Sequence, residues 1–286
     1  MSIKIITDSG SDLTLEIRED YDIDVMPIIV TQGSETYLDG VNIDNNKLYK
    51  DMREGVVYKT AARSPVDYEN KFTDVLNNYD RAIYVSLSSK LSSTYDYASL
   101  AKKTLEISDD RLRIIDSLSG SWGEGLLVYF LAKYIKEHER SFEEIEAYSE
   151  KIRDNVECVF YVDSLEYLKR GGRVSTLGAV VGGLLKLKVI LDIEEGGKIV
   201  PVDKVRGEAK AIKRLIELFK ERLGSEVYHE EIIVAHADAL DRATELAELV
   251  GDIYPDKKVS IAEISSTVGA HCGPGTVALF AVKNFE

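Results

Sequence analysis

The sequence predicts an α/β protein built from two domains, and three observations support this prediction. Short apolar segments rich in β-branched residues alternate with segments of helical periodicity in the first half of the chain. The second half instead contains a hairpin pattern and several further strands. A chain of 286 residues is long enough for two domains that share an interface. We therefore expect a parallel-sheet α/β domain over residues 1–155 and an α/β domain with a mixed or antiparallel sheet over residues 156–286.

Parallel strands joined by crossover helices are expected in the first half. The predicted strands are Ile3–Thr7, Asp24–Val30, Arg81–Leu87 and Leu112–Asp116. The predicted helices are Leu13–Tyr21, Asn46–Glu54, Val66–Asn77, Thr94–Leu105, Gly123–Lys136 and Phe142–Asp154. Because these strands are apolar without clean alternation, they fit a sheet that is covered on both faces.

A mixed or antiparallel sheet is expected in the second half. Two apolar segments flank Glu194-Glu195-Gly196-Gly197, which is a hairpin signal. The predicted strands are Cys158–Val162, Val189–Ile193, Lys198–Val202, Ile232–Ala235, Val259–Ile264 and Val277–Val282. The predicted helices are Glu208–Leu223 and Leu240–Val250.

Composition and charge exclude several classes of function. A net charge of -14 argues against nonspecific nucleic-acid binding, which requires a basic face. No apolar run approaches the ~20 residues that cross a bilayer, and the N-terminus enters a strand without a signal peptide. Cys158 and Cys272 are too few for a disulfide framework or a cysteine-rich metal site. We therefore expect a cytoplasmic protein with no nucleic-acid partner and no transmembrane segment.

A serine-rich segment, Ser88–Tyr95, follows a predicted strand and opens a predicted helix. Ligands of open parallel sheets collect beyond the carboxyl ends of the strands, where helix N-termini present free N–H groups. Capping that helix needs one hydroxyl, whereas this segment supplies five. The surplus suits a carboxylate or phosphate.

His271 lies in the glycine-rich segment Gly269–Gly275, where we expect a tight bend that approaches a ligand. A lone histidine is more often structural than catalytic, and a reference pKa near 6.5 leaves its charge open. Thr60 precedes a helix start at Ser64-Pro65. Its position ahead of that start leaves it free to face a cleft.

Three arginines, Arg170, Arg173 and Arg206, differ from the other basic residues because glycines flank them. They belong to a net basic region within an acidic chain, and most basic residues of that region fit solvated helix faces. We expect these three in loops, which commonly carry function. They are candidates for contact with a phosphate or an acidic partner.

Five motifs occur in one order along the chain. They are Asp8-Ser9 with Asp12-Leu13, Thr60 before Ser64-Pro65, Ser88–Tyr95, Tyr167–Ser175 and Gly269–Gly275. In this order they resemble the DegV family of bacterial fatty-acid-binding proteins, and the resemblance spans essentially the whole chain. It implies two α/β domains with a fatty acid buried between them.

The resemblance also implies a function and a site. Better understood members of the family are the acyl-carrying subunit of a two-component fatty acid kinase, in which a separate ATP-binding subunit phosphorylates the bound carboxylate to an acyl phosphate. The carboxylate contacts implied by position are Thr60, Ser92, Ser93 and His271. The implied kinase-facing or phosphate zone is Arg170, Arg173 and Arg206. The implied ligand is a long-chain fatty acid, with no cofactor, no metal and no catalytic residue in this chain, and the apolar segment Ala179–Leu185 is a candidate lining for its tail.

Two other functions stay open. A stand-alone hydrolase would pair Ser92 or Ser93 with His271, although no Gly-x-Ser-x-Gly elbow occurs in the chain. A fatty acid sensor or storage protein would need no kinase partner. A nucleotide site within this chain is not expected, because neither of the two glycine-rich nucleotide-binding motifs appears.

Overall fold

Strands and helices alternate along most of the chain. The computed structural model describes residues 2–137, 140–174, 187–194, 196–224, 227–228 and 231–285. Its strands are β1 (Ile3–Asp8), β2 (Ile23–Met26), β3 (Ile29–Gln32), β4 (Glu35–Leu38), β5 (Tyr58–Ala61), β6 (Arg81–Ser86), β7 (Leu112–Asp116), β8 (Val156–Val162), β9 (Leu187–Ile193), β10 (Ile199–Arg206), β11 (Glu231–His236), β12 (Lys258–Glu263) and β13 (Val277–Val282). Its helices are α1 (Leu15–Asp20), α2 (Asn45–Arg53), α3 (Pro65–Asn78), α4 (Thr94–Thr104), α5 (Trp122–Glu137), α6 (Phe142–Arg153), α7 (Glu166–Gly171), α8 (Glu208–Leu223), α9 (Leu240–Ile253) and α10 (Ser266–Cys272).

The first sheet is parallel and has the strand order β2–β1–β6–β7. Consecutive residues of β1 enter different cores, because side chains alternate between the two faces of a strand. Ile5 packs in the core that includes α5, and Ile6 packs in the core under α3 and α4. This confirms the prediction of a parallel sheet covered on both faces.

The predicted strand Asp24–Val30 is wrong, because the chain divides there between two sheets. Pro27 follows β2 and has no N–H to donate to a ladder. The next strand, β3, pairs antiparallel with β4 and β5 in a separate sheet with the order β4–β3–β5. The sequence analysis missed this sheet, since β4 and β5 are four-residue strands with polar, partly exposed residues.

The largest sheet of the described residues is mixed, with the order β10–β9–β8–β13–β11–β12. Strands β11 and β12 are parallel, whereas β8, β9, β10 and β13 pair antiparallel with their neighbours. The β9–β10 hairpin confirms the predicted hairpin. Helices α8 and α9 pack on one face of this sheet, in a core that contains Leu215, Phe219 and Leu246.

The predicted helices are present with shifts of a few residues at their ends. The first is shorter than predicted, because α1 begins at Leu15, after Thr14 caps it through the Ile17 N–H. Pro65 begins α3, where Ser64 and Asp67 form a capping box. The sequence analysis missed the short helices α7 and α10, of six and seven residues, whose residues lie in glycine-rich segments.

Helix α5 connects the two halves of the chain. It contacts β1 and β6 of the parallel sheet on one side and β8 and β13 of the mixed sheet on the other. Because α5 is apolar around most of its circumference, it is buried between the sheets within one continuous core. The division into domains 1–155 and 156–286 stays a prediction. Among the described helices, none combines the length and the apolar character needed to span a bilayer.

Candidate functional site

A cavity of about 310 Å³ lies between the parallel and mixed sheets. We call it the central cavity. Residues of both halves of the chain line it, among them Thr60, Leu91, Phe160, Arg173, His271 and Phe280. Its volume is at the lower end of the ~300–1,000 Å³ range of small-molecule sites. The loops after β6 and β7 contribute to its wall, so it lies beyond the carboxyl ends of parallel strands, where the sequence analysis expected a ligand.

The floor of the central cavity is apolar. Phe160, Ala278 and Phe280 belong to β8 and β13, and each is more than 90% buried. Leu87 and Ile28 form part of the wall on the side of the parallel sheet. Polar side chains collect at the end that is formed by β5, α10 and the serine-rich segment. The cavity therefore combines an apolar body with a polar end.

His271 is at that polar end, in the last turn of α10. Its placement in a bend was wrong, because the bend follows the helix at Gly273 and Gly275, which have φ values of 80° and 90°. A Cβ on Gly273 would lie 2.2 Å from the Tyr167 ring. This glycine therefore permits both the turn and the close approach of α7 to α10.

The imidazole of His271 forms a pair with the hydroxyl of Thr60. His271 Nε2 lies 2.7 Å from Thr60 Oγ1. Thr60 is on β5, opposite Val30 of β3, so the sheet that the sequence analysis missed is the element that positions this hydroxyl. Among the described residues His271 Nδ1 is buried without a hydrogen-bond partner.

His271 is neutral at physiological pH. Burial, followed by the positive charge of Arg173, lowers the pKa of His271 to about 4. A neutral imidazole carries one N–H and one lone pair, and the threonine hydroxyl can donate or accept. The Thr60–His271 pair can therefore offer a hydrogen bond to a carboxylate without placing a second charge in the cavity.

Arg173 is a half-buried cation in the wall of the central cavity. Its Nε donates to the carbonyl oxygen of Leu91 at 2.9 Å, and its guanidinium also donates to the carbonyl oxygen of Gly171. In the described part of the chain it has no carboxylate partner. An arginine held by two carbonyl oxygens keeps its positive charge uncompensated, and this favours an anion at the polar end of the cavity.

The hydroxyls of the serine-rich segment have different roles. Ser88 is fully buried and donates to the carbonyl oxygen of Gly197 at 2.8 Å, which joins this segment to the β9–β10 hairpin. Ser92 accepts from the Thr94 N–H at 3.3 Å, and Ser93 precedes α4 without a side-chain cap. Both Ser92 and Ser93 line the central cavity. Neither of them hydrogen-bonds to His271.

Arg170 and Arg206 lie apart from the central cavity and are exposed. Their predicted positions in loops were wrong. Arg170 is on α7, with its guanidinium 5.8 Å from the centre of the Tyr167 ring, and Arg206 is the last residue of β10. The proposed tail-lining segment Ala179–Leu185 lies outside the described residues.

Sequence reasoning missed a group of buried and partly buried carboxyls beside the site. The group comprises Asp8, Asp12, Asp39 and Glu124. Burial raises the pKa of Asp8 to about 6 and that of Asp12 to about 7, and it also raises the pKa values of Asp39 and Glu124. The sequence signal was the run of Asp8 to Asp12 at the carboxyl end of β1.

Asp12 links this group to the helix that carries His271. It accepts from the Ser265 N–H at 3.0 Å and from the Ser121 hydroxyl. Ser265 caps α10, and Ser121 immediately precedes α5. Asp12 therefore fixes the start of α10 relative to the central helix.

Comparison with known proteins agrees with the fold. The sequence matches the family described as "Uncharacterised protein, DegV family" over residues 2–284. A Thermotoga maritima protein named "Fatty acid-binding protein" is 34% identical over 294 residues, which cover 100% of this chain and 99% of that relative. Among the relatives of known structure are DegV proteins described as fatty acid binding, from Thermus thermophilus and Bacillus subtilis.

The Thermus thermophilus structure has a TM-score of 0.90 and 28% identity, and it covers 99% of this chain and 100% of its own. The Bacillus subtilis structure has a TM-score of 0.88 and 28% identity, with the same coverage of the two chains. These similarities confirm the predicted α/β architecture. The match over nearly every residue, together with the shared fold, shows that the chain belongs to the DegV family.

Proposed function

We propose that the protein binds one long-chain fatty acid in the central cavity and presents its carboxylate to a separate ATP-dependent kinase subunit. The observation that carries the proposal is a cavity with an apolar floor and, at one end, a neutral Thr60–His271 pair beside Arg173, a cation with no carboxylate partner among the described residues. The names of the Thermotoga maritima and Bacillus subtilis relatives support the same ligand class.

The two ends of the cavity make different contributions to binding. Each buried methylene of the acyl chain contributes about 0.8 kcal/mol. A hydrogen bond to the charged carboxylate contributes a net ~1.5–3 kcal/mol. A chain of many methylenes therefore supplies most of the affinity, whereas the polar end orients the head group.

We assign the carboxylate contacts to Thr60, Ser92, Ser93 and His271. All four line the polar end of the central cavity. Arg173 compensates the negative charge from the wall, and the hydroxyls of Ser92 and Ser93 donate hydrogen bonds to the carboxylate oxygens. The Thr60–His271 pair supplies one further donor, because a neutral imidazole carries a single N–H and its Nε2 is bonded to the Thr60 hydroxyl.

The kinase step transfers the γ-phosphoryl group of ATP to a carboxylate oxygen, which produces an acyl phosphate and ADP. This chain contributes the oriented nucleophile, and the partner subunit contributes ATP and its metal. The exposed cations Arg170 and Arg206, on the outside of the same half of the chain, are our candidates for the surface that meets the partner.

An organic extract of natively purified protein, analysed by mass spectrometry, tests the binding step. Near-stoichiometric fatty acid is expected, and protein that stays empty after incubation with a fatty acid series contradicts the proposal. Addition of the ATP-binding subunit then tests presentation through ATP-dependent acyl phosphate formation. Bound fatty acid without acyl phosphate would instead identify a sensor or storage protein.

The hydrolase alternative has no support from the hydrogen bonds of the site. The histidine pairs with Thr60, and neither Ser92 nor Ser93 is within hydrogen-bond reach of it. A serine nucleophile needs an adjacent base. Release of product from an activated acyl ester that disappears in Ser92→Ala would overturn this assignment.

A further inference from the structure

A second cavity adjoins the apolar end of the central cavity. It has a volume of about 590 Å³, and we call it the distal cavity. Its lining includes Ser117, Ser119, Arg153, Glu157, Asp192 and Arg222. Cys158 and Ile193 line both cavities. On the side of the mixed sheet, therefore, these two side chains border both spaces.

Strand β8 of the mixed sheet contributes side chains to the lining of both cavities. Val159 of β8 and Asp192 of β9 form the last pair of their ladder, and Cys158 and Ile193 are the next residues along the two strands. Alternate residues of a strand share a face. Along β8, Phe160 lines only the central cavity, Cys158 lines both, and Val156 lines only the distal cavity.

The opposite wall has the same division within one loop. Ser117, Leu118 and Ser119 line the distal cavity, whereas Gly120 and Ser121 line the central cavity. Gly120 packs against the side chain of Leu87, since a Cβ at this position would lie 2.7 Å from Leu87 Cδ1. On this wall the boundary between the two cavities therefore lies between Ser119 and Gly120.

The distal cavity is polar and carries an excess of carboxylates. Its two arginines are already paired, Arg153 with Asp154 at 3.0 Å and Arg222 with Asp192 at 2.6 Å. Glu157 has no ion pair in the described part of the chain, and Glu194 also lines the cavity. Burial raises the pKa values of Glu157 and Asp192, which indicates that further negative charge is unfavourable there.

We propose that the central cavity opens into the distal cavity past Cys158 and Ile193, and that the protein binds long-chain fatty acids with a terminal hydroxyl. This ω-hydroxyl group lies among the serines and carboxylates of the distal cavity. This inference rests on the proposed function, because the carboxylate at the polar end sets the direction of the chain. A terminal hydroxyl can donate to Asp192 or Glu157 and accept from Ser119, since the Ser117 hydroxyl already donates to the carbonyl oxygen of Ser119. A carboxylate at the chain end, as in a dicarboxylic acid, would instead be repelled by the carboxylates of the distal cavity, because Arg153 and Arg222 are already in ion pairs.

Equilibrium titration of the delipidated full-length protein tests the inference. The ligands are saturated fatty acids of increasing length, the corresponding ω-hydroxy acids and the corresponding dicarboxylic acids. Above the length at which the chain end passes Cys158, we expect the ω-hydroxy acid to bind roughly 3- to 10-fold more tightly than the unsubstituted acid, as one net hydrogen bond allows. Shorter ω-hydroxy acids should bind more weakly than their unsubstituted counterparts, and the dicarboxylic acids should bind most weakly.

A charge reversal at Glu157 is a second test of the preference for ω-hydroxy acids over dicarboxylic acids. Glu157→Lys should tighten binding of the long dicarboxylic acid by roughly 10-fold or more, as expected for a hydrogen-bonded charge pair. Binding of an unsubstituted acid that is too short to pass Cys158 should not change, because its chain end stays in the central cavity, which Glu157 does not line. Glu248→Lys on the exposed face of α9 carries the same charge change and should have no effect on any ligand.

The outcomes separate this inference from the proposed function. If no unsubstituted fatty acid binds, the proposed function fails. If hexadecanoic acid binds but the ω-hydroxy acids are weaker than their counterparts at every length, the distal opening is wrong and the central cavity ends at Cys158 and Ile193. An unchanged dicarboxylic acid affinity in Glu157→Lys would overturn the placement of the chain end, provided that the variant keeps its thermal stability.

Discussion

At the scale of single residues, the environment of His271 decides what the site can do. Burial keeps the imidazole neutral, and Thr60 engages its Nε2. A neutral histidine adds no charge that would compete with Arg173 for the carboxylate. The residue types were visible in the sequence, but the pairing of residues 60 and 271 was not.

Removal of the Thr60 hydroxyl should weaken fatty acid binding. Thr60→Val keeps the shape of the side chain and removes one hydrogen bond to a charged group, so we expect about 10-fold weaker binding of the carboxylate form. Binding of the methyl ester should change less, because the ester carries no charge. Isothermal titration measures both ligands. The matched control is Thr244→Val on the exposed surface of α9, and equal losses in the two variants would contradict a role for Thr60 in the head-group site.

A methyl group at Gly171 should displace the histidine ring. A Cβ at this position would lie 2.2 Å from His271 Nδ1, so Gly171→Ala should reduce fatty acid affinity and shift the imidazole resonances of His271 in NMR spectra. Gly251→Ala, also in a helix but with nothing within 4 Å, is the control. It should leave binding unchanged and stabilise the fold by up to ~1 kcal/mol. Normal binding by Gly171→Ala would show that the ring position is not required.

At the scale of elements, short segments hold the site while long elements form the frame. Thr60 lies on a four-residue strand and His271 on a seven-residue helix. Both elements are too short to show a periodic pattern, and this is why the sequence analysis treated them as loops. Long elements such as α3, α8 and the β9–β10 hairpin were predicted, because their apolar periodicity extends over several turns or residue pairs.

The link from Asp12 to α10 predicts that the wild type and the Asp12→Asn variant differ in stability by an amount that depends on pH. The pKa of Asp12 is raised to about 7, so the stability that its protonated form contributes is present below the ordinary aspartate pKa and is lost as the pH rises through about 7. Asp12→Asn removes this titration. The difference in melting temperature, variant minus wild type, should therefore increase between pH 5 and pH 8.

Taking this difference removes the contributions of the titrating groups that do not interact with Asp12. His271, whose pKa is lowered to about 4, works in the opposite direction, since its neutral form stabilises the fold above the ordinary histidine pKa. Its contribution cancels when variant and wild type are compared at each pH. Asp252→Asn, on the exposed end of α9, is the control and should show a flat difference. A flat difference for Asp12→Asn as well would contradict the assignment.

At the scale of the whole molecule, the central cavity joins the two halves of the chain. Its floor comes from the mixed sheet, whereas much of its wall comes from the loops of the parallel sheet and from β5. A ligand that fills this space makes contacts with both halves. It should therefore stabilise the folded chain as one unit.

Delipidation should lower the melting temperature of the whole protein in a single transition. A ligand present at about 100 times its dissociation constant stabilises the native state by ~2.7 kcal/mol. Differential scanning calorimetry of delipidated protein, with and without added hexadecanoic acid, measures this shift, and a non-binding alkyl sulfobetaine at equal concentration controls for detergent effects. Stabilisation of only one of two separate transitions would contradict a site shared between the halves.

The sequence by itself determined the α/β class, the parallel and mixed sheets, the family and the residue types of the polar end. These features follow from local periodicity and from ordered motifs, which do not depend on distant contacts. Only the tertiary structure decided the antiparallel sheet that carries Thr60, the neutral state of His271, the separation of Arg173 from the exposed Arg170 and Arg206, and the contact between the central and distal cavities. Each of these depends on the distance between residues that lie far apart in the chain, and burial, pKa and cavity shape are set by that distance.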